Sequence, residues 1–188
     1  MRIAISGAQS TGKSTVIDEL QKDKYIAENY TLIKEVTRNV RKKGLKINDD
    51  SDNYYLVKIM IMSGHIENSL PDNTIIDRCA LDGYVYTQYL YQQGKVDEWV
   101  LDFAEEVFNM LKDKYDIIFY ISPEFDIYSD GVRSTDTKFR DAIVDIFGDT
   151  IVRYDIKTIQ LIGTIEDRAI KFKNVIKGYS KKWSHTYG

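Results

Sequence analysis

One cysteine, two prolines and two histidines are all that this chain of 188 residues holds of those three types. A single cysteine excludes an internal disulfide framework and fits a reducing compartment. His65 and His185 have no metal-like spacing with Cys79 or with carboxylates, which argues against a zinc site. Two prolines leave no Pro-rich linker, and no low-complexity tract or internal repeat divides the chain, so one domain over residues 1–188 is expected. No apolar run approaches the ~18 residues of a membrane span. The amino end enters a strand-like run at once, which leaves no room for a signal peptide and makes a cytoplasmic location the expectation. Neither charge sign dominates. Against 29 acidic residues stand 26 Lys and Arg, a net charge of −3, with no global pull toward nucleic acid or an anionic membrane.

What is present is a mixture ordinary for a globular protein, 43% hydrophobic and 29% charged. Short apolar runs alternate with helix-like stretches, the pattern of a parallel α/β sheet. The runs predict strands over 2–6, 31–36, 73–77, 116–121 and 150–154. Helices are predicted from residue 15 and over 51–69, which Ser51 could cap and Pro71 would end. Two more are predicted over 80–93 and 96–113, broken near Gly94. Residues 136–147 bring Phe139, Ala142, Ile143, Ile146 and Phe147 to one face, and 164–177 do the same with Ile165, Ala169, Phe172 and Ile176. Thr164 and Asp167 form a capping-box pattern before the latter. Gly148 reads as the C-cap of the former. That reading also disposes of Asp145-Ile-Phe-Gly148, which matches a GTPase D-x-x-G only by letter.

Residues 7–14 read Gly-Ala-Gln-Ser-Thr-Gly-Lys-Ser, a G-x-x-x-x-G-K-[ST] pattern without mismatch between a predicted strand and a predicted helix. Glycines at 7 and 12 let the backbone curl so that its N–H groups face a polyanion. The helix N-terminus behind adds partial positive charge. The residues expected around a nucleoside triphosphate are Gly7, Ala8, Gln9, Ser10, Thr11, Gly12, Lys13, Ser14 and Thr15. Lys13 would reach the β- and γ-phosphates, and Ser14 would offer its hydroxyl to Mg²⁺.

Ligands of open parallel sheets sit at the carboxyl ends of strands, and the polar clusters of this chain follow its strands. Asp77-Arg78 ends the third. Its carboxylate is placed to hold Mg²⁺ directly or through water, and its guanidinium to clamp a phosphate; a structural ion pair is the competing reading. After the second strand, Glu35 could orient or deprotonate an acceptor hydroxyl, with Arg38 on the same helical face; an ordinary charged helix end would look similar. Arg41-Lys42-Lys43 reads as a solvated basic face. Residues 122–140 form a polar stretch with Arg133, Lys138 and Arg140. It reads as a lid in which Arg133, with Arg140 second, stabilises charge on a transferring phosphoryl group, or else as an ordinary connection. Cys79 reads as small packing rather than a nucleophile. Tyr84, Tyr86, Tyr89 and Tyr91 read as packing or surface amphipathy, with base stacking the alternative.

Four stretches, Gly7 to Ser14, Glu35-Val-Thr-Arg38, Asp77-Arg-Cys-Ala-Leu-Asp82 and Leu161-Ile-Gly-Thr-Ile-Glu-Asp-Arg168, together resemble a group of small P-loop kinases. The group includes the nicotinamide-riboside kinase domain of bacterial NAD-biosynthesis proteins and related phage and bacterial nucleotide kinases. Asp130-Gly-Val-Arg133 with Phe139-Arg140 resembles its lid. The resemblance implies a P-loop NTPase three-layer sandwich: a five-stranded parallel sheet in order 2-3-1-4-5, helices on both faces, and Asp77 near Ser14. It implies ATP with Mg²⁺, Arg38 and Arg78 on the acceptor or the transferred phosphate, and Gly163 and Arg168 near the adenine. A helix cap alone explains those last two almost as well. Cys79 departs from the Ser or Tyr often found there. The activity implied is transfer of the γ-phosphate of Mg·ATP to a nucleoside or (deoxy)nucleoside monophosphate, a small-molecule acceptor. A kinase acting on a DNA end or a hydroxylated base, and a non-catalytic ATP-binding switch, are the alternatives. The acidic balance disfavours nucleic acid, no membrane partner is expected, and homodimerisation is left open.

Overall fold

The computed structural model of the chain describes residues 1–34, 53–123 and 137–184. Five parallel strands form one sheet in the order β2-β3-β1-β4-β5. Strand β1 (Arg2–Ser6) is central. It pairs with β3 (Thr74–Asp77) and β4 (Ile117–Tyr120), and β2 (Thr31–Ile33) and β5 (Thr158–Gln160) are the edges. The three inner strands are apolar and buried on both faces, as a sheet covered twice requires. Register sets Ile5 opposite Asp77 and Ser6 opposite Tyr120, so the carboxyl ends of the inner strands converge where β1 runs out.

Side chains of a strand alternate between faces, and each face has its own helices. Ile3, Ile5, Ile75, Ile117 and Phe119 pack with α1 (Lys13–Gln21), α2 (Lys24–Asn29) and α7 (Ile165–Ser184). Ala4, Ile76, Ile118 and Tyr120 pack with α3 (Asn53–Asn68), α4 (Ala80–Gln92), α5 (Glu98–Leu111) and α6 (Thr137–Arg153). The three-layer sandwich and strand order implied by the resemblance are the ones observed. Helix α2 was not anticipated. Asp23 caps it by accepting the N–H groups of Tyr25 and Ile26.

Three expectations are corrected. Residues 150–154 are not the fifth strand. Helix α6 continues through Gly148 to Arg153, because Ile143, Phe147 and Thr150 prolong one buried stripe. Thr150 Oγ1 bonds back to the Ile146 carbonyl at 2.7 Å, a helical contact. Gly148 therefore caps nothing. Its side faces open space, so the helix bears only its intrinsic cost of about 1 kcal/mol. The chain leaves the helix at Asp155, whose φ of 49° supplies the left-handed residue, while the Ile156 N–H reaches back to the Ile151 carbonyl. The fifth strand lies later, at Thr158–Gln160. The second strand spans Thr31–Ile33 and leaves out Lys34, and residues 35–36 of its expected span lie outside the described residues. The Ser51 cap lies outside the described residues.

Phe172 is fully buried and packs on Phe119 with ring centroids 4.4 Å apart. Phe172→Ala is expected to destabilise the protein by about 3–5 kcal/mol, read as a lower denaturation midpoint at unchanged m-value in urea unfolding.

Candidate active site

Strand β1 turns into its loop at a point with no room for a side chain. Gly7 has φ 143°, and a Cβ there would stand 2.3 Å from the carbonyl oxygen of Ile121. Gly12, at φ 86°, makes the second bend and is the N-cap of α1, so the positive end of that helix faces the loop. Between them the Thr11 hydroxyl donates to the Ala8 carbonyl at 3.0 Å. Lys13 is 6% exposed. Its ammonium donates to the carbonyls of Gly7, at 2.6 Å, and Ala8, drawing the loop into a ring around the ammonium.

Asp77 ends β3 beside this loop. The Ser14 hydroxyl donates to its Oδ2 at 3.5 Å, so the two expected metal-binding residues are brought together. Arg78, next in the chain, holds a φ of 69°. A non-glycine residue in the left-handed region costs of order 1 kcal/mol or more and persists only where its surroundings enforce it. Its guanidinium lies 5.1 Å from the Tyr86 ring centroid and 3.9 Å from Asp82. Tyr86 in turn donates its hydroxyl to Gln9 of the loop at 2.8 Å.

Two buried carboxylates were not singled out from the sequence. Asp82 accepts the Ser6 hydroxyl at 2.7 Å, the Gly7 N–H at 3.4 Å and the Cys79 N–H at 3.1 Å. It thereby pins the end of β1, the start of the loop and the start of α4 to one anion. The available signal was its place three residues after Cys79, the reciprocal half of a capping box. Glu67, in the last turn of α3, accepts the Tyr115 hydroxyl at 2.6 Å and the Ala80 N–H at 2.9 Å. Burial lifts its carboxyl to about 7, and the charge on Asp82 adds to the lift. No sequence signal marked it, since an acidic residue at a helix end reads as solvated. Burial also pushes the Cys79 thiol up, consistent with packing rather than nucleophilic duty.

Arg168 supports the loop from α7. It is 3% exposed and donates Nη1 to the Thr11 carbonyl at 2.8 Å. Asp167 and Thr164 form the anticipated capping box: the Asp167 carboxylate accepts the Thr164 N–H at 3.0 Å, and the Asp167 N–H donates to the Thr164 hydroxyl at 3.2 Å. Gly163 precedes it at φ 90°. Arg140 is buried on α6 and lies 3.4 Å from Asp141. Glu35, Arg38 and Arg133, with most of the expected lid, lie outside the described residues.

A cavity of about 120 Å³ lies on the α4 side of the carboxyl end of β3. It is lined by α3, α4 and α5, the Asp77-Arg78 end of β3, and Phe139 of α6. Tyr86 and Tyr89 face it, with the Tyr89 and Phe139 centroids 4.7 Å apart.

A family model described as an AAA domain matches residues 2–168. No curated protein matches the sequence. Among solved structures, the NadR protein in complex with NR superposes with a TM-score of 0.68 at 18% identity, over 90% of this chain and 49% of that one. The chain thus spans about half the length of that NadR chain. Deoxyadenosine kinase from M. mycoides, with dCMP and a flexible dCDP, gives 0.66 at 16% identity, over 95% of this chain and all of that one. The YorR protein from Bacillus subtilis, in complex with phosphorylated GDP, gives 0.56 at 19%, over 100% and 99%. These likenesses establish a shared fold.

Two outcomes follow from the buried carboxylates. Asp82→Ala strands three donors, and a stability loss of roughly 3 kcal/mol is expected by thermal or chemical unfolding. The Glu67 carboxyl sits at about 7 in the folded protein against 4.5 as its ordinary value. The folded state therefore holds the extra proton. Its contribution is complete below pH 4.5, declines as pH rises through 7, and amounts to roughly 3 kcal/mol. Glu67→Gln should remove this slope from a plot of unfolding free energy against pH.

Proposed function

The chain belongs to the AAA domain family whose model spans residues 2–168, and from that premise we propose that it is a P-loop kinase. It transfers the γ-phosphate of Mg·ATP to a hydroxyl or phosphate of a nucleoside or (deoxy)nucleoside monophosphate. One observation carries this reading. Asp77, Asp82 and Tyr86 line the cavity, and each also bonds to the loop, at Ser14, Gly7 and Gln9 respectively. An acceptor in the cavity is then a direct neighbour of phosphates held by the loop, the proximity that phosphoryl transfer requires. The NadR structure with NR and the deoxyadenosine kinase structures support the same assignment by their fold.

The residues fit the groups. The loop curls so tightly at Gly7 that a side chain is excluded, which leaves backbone N–H groups for phosphate oxygens. Mg²⁺ is ordinarily held by one or two protein oxygens together with phosphate oxygens and water, and Ser14 Oγ with the Asp77 carboxylate supplies such a pair. Bound Mg·ATP would supply the phosphoryl donor and the charge that neutralises it. With a triphosphate bound, Lys13 would exchange the carbonyls of Gly7 and Ala8 for phosphate oxygens. Arg168, through Thr11, holds the loop in shape, and Gly163 and Arg140 complete the nucleotide's surroundings. Arg78 clamps the acceptor or the transferred phosphate together with Arg38, Glu35 orients or deprotonates the acceptor hydroxyl, and Arg133 closes over the reaction and excludes water.

ADP release should be stimulated by at least one member of a panel of nucleosides, deoxynucleoside monophosphates, nicotinamide riboside and DNA ends, and the member should be a small molecule. Arg133→Ala should lower kcat on the order of 10³-fold, and Lys13→Ala should abolish turnover. Stimulation by DNA ends alone, or a turnover of Arg133→Ala within a few-fold of wild type, contradicts the assignment.

A further inference from the structure

The wall of the cavity carries one group that the proposed transfer does not use. Glu67 is 4% exposed and lines the cavity from the last turn of α3. Its Oε2 is engaged twice, by the Tyr115 hydroxyl and the Ala80 N–H. Its Oε1 has no hydrogen-bond partner among the described residues, and no Lys, Arg or His among them pairs with it. The nearest charges work against ionisation: the carboxylate of Asp82, and the negative end of the helix on which Glu67 sits. A buried acid in that position is costly. Its structural duties do not call for an acid, because a glutamine carbonyl oxygen would serve Tyr115 and Ala80 equally well. What glutamine could not supply is a second oxygen able to accept. Ringed along the same cavity are Tyr86, Tyr89 and Phe139, flat apolar faces suited to a heterocycle.

We propose that Glu67 Oε1 reads the edge of the acceptor's heterocycle by accepting a hydrogen bond from an amino or carboxamide N–H. The cavity then selects amino-bearing bases and rejects analogues that present a carbonyl, a carboxylate or a bare ring carbon at that edge. This inference rests on the kinase reading above and names its substrate class. With its carboxyl lifted to about 7, Glu67 is ionised to a large share at neutral pH, and an N–H donor completes the ionised form. A carbonyl or carboxylate oxygen opposite the ionised form meets a like partner with no proton between them, and only the protonated share of Glu67 could donate to it, so the preference is expected to sharpen as pH rises above 7.

The test measures Kd by calorimetry for matched pairs with wild type and Glu67→Gln. The pairs are deoxyadenosine with purine deoxyriboside, deoxycytidine with deoxyuridine, and nicotinamide riboside with nicotinic acid riboside. In wild type, for whichever pair binds, the amino or amide member is expected to bind roughly tenfold to a hundredfold more tightly. Glu67→Gln keeps an oxygen for Tyr115 and Ala80 and sets an NH₂ in place of Oε1, so the preference should collapse or invert while Mg·ATP affinity stays unchanged. Equal affinities within every pair in wild type, or an equal loss for both members in the variant, overturn the inference and leave the kinase reading standing. Wild type that binds Mg·ATP but no member of any pair overturns the inference together with the small-molecule acceptor. The wild-type pairs carry the test by themselves if the variant does not fold.

Discussion

The buried carboxylate of Asp82 is the constraint on which the rest of the site depends. It gathers the last hydroxyl of β1, the first N–H of the loop and the first N–H ahead of α4 onto one anion, with the Arg78 guanidinium nearby. In a protein interior an anion held by several donors is strongly fixed, and the same anion with its donors removed is strongly destabilising. The loop and the start of α4 therefore cannot shift independently. The β1–β3 register, which sets Ile5 opposite Asp77, brings Asp77 within reach of Ser14 beside this junction.

The sheet divides labour between its faces. On one, α1 and α7 pack on Ile3, Ile5 and Phe119, and Arg168 reaches from α7 to the Thr11 carbonyl. That side stiffens the loop that would grip a triphosphate. On the other, α3, α4 and α5 enclose the cavity. The two meet at the carboxyl edge of β1 and β3, where parallel topology brings strand ends together. Part of the cost of this arrangement falls there: positive φ at Ser10 and Arg78, and three buried acids, Glu67, Asp77 and Asp82. Buried acids gathered beside a strained backbone position have a physical rationale at functional sites, where such costs are retained.

The inner strands and the loop were legible in the sequence because their signals are local. Ile3 to Ile5 and Ile117 to Tyr120 are continuous apolar runs, and the glycine spacing of the loop has one physical meaning. The edge strands were not. Thr158-Ile159-Gln160 is half-buried and only three residues long, whereas Thr150-Ile151-Val152 has the β-branched character expected of a strand and is helical because Thr150 extends the stripe begun at Ile143. There tertiary packing overrode propensity. In the candidate site, Asp77 and Ser14 followed from motif and topology. Glu67 did not, because nothing local tells a buried acid from a solvated one; its environment comes from Tyr115 and Ala80, distant in sequence.

On the proposed reading, the loop and the cavity are two halves of a single phosphoryl-transfer site. A single-turnover experiment with ATP labelled at its γ-phosphate, Mg²⁺ and a mixture of nucleosides and nucleoside monophosphates tests it most directly. The label is expected to leave ATP and appear covalently on one acceptor, with none transferred when Lys13 is replaced by alanine. Label that remains on ATP, or that appears only as free phosphate whatever acceptor is offered, would contradict it.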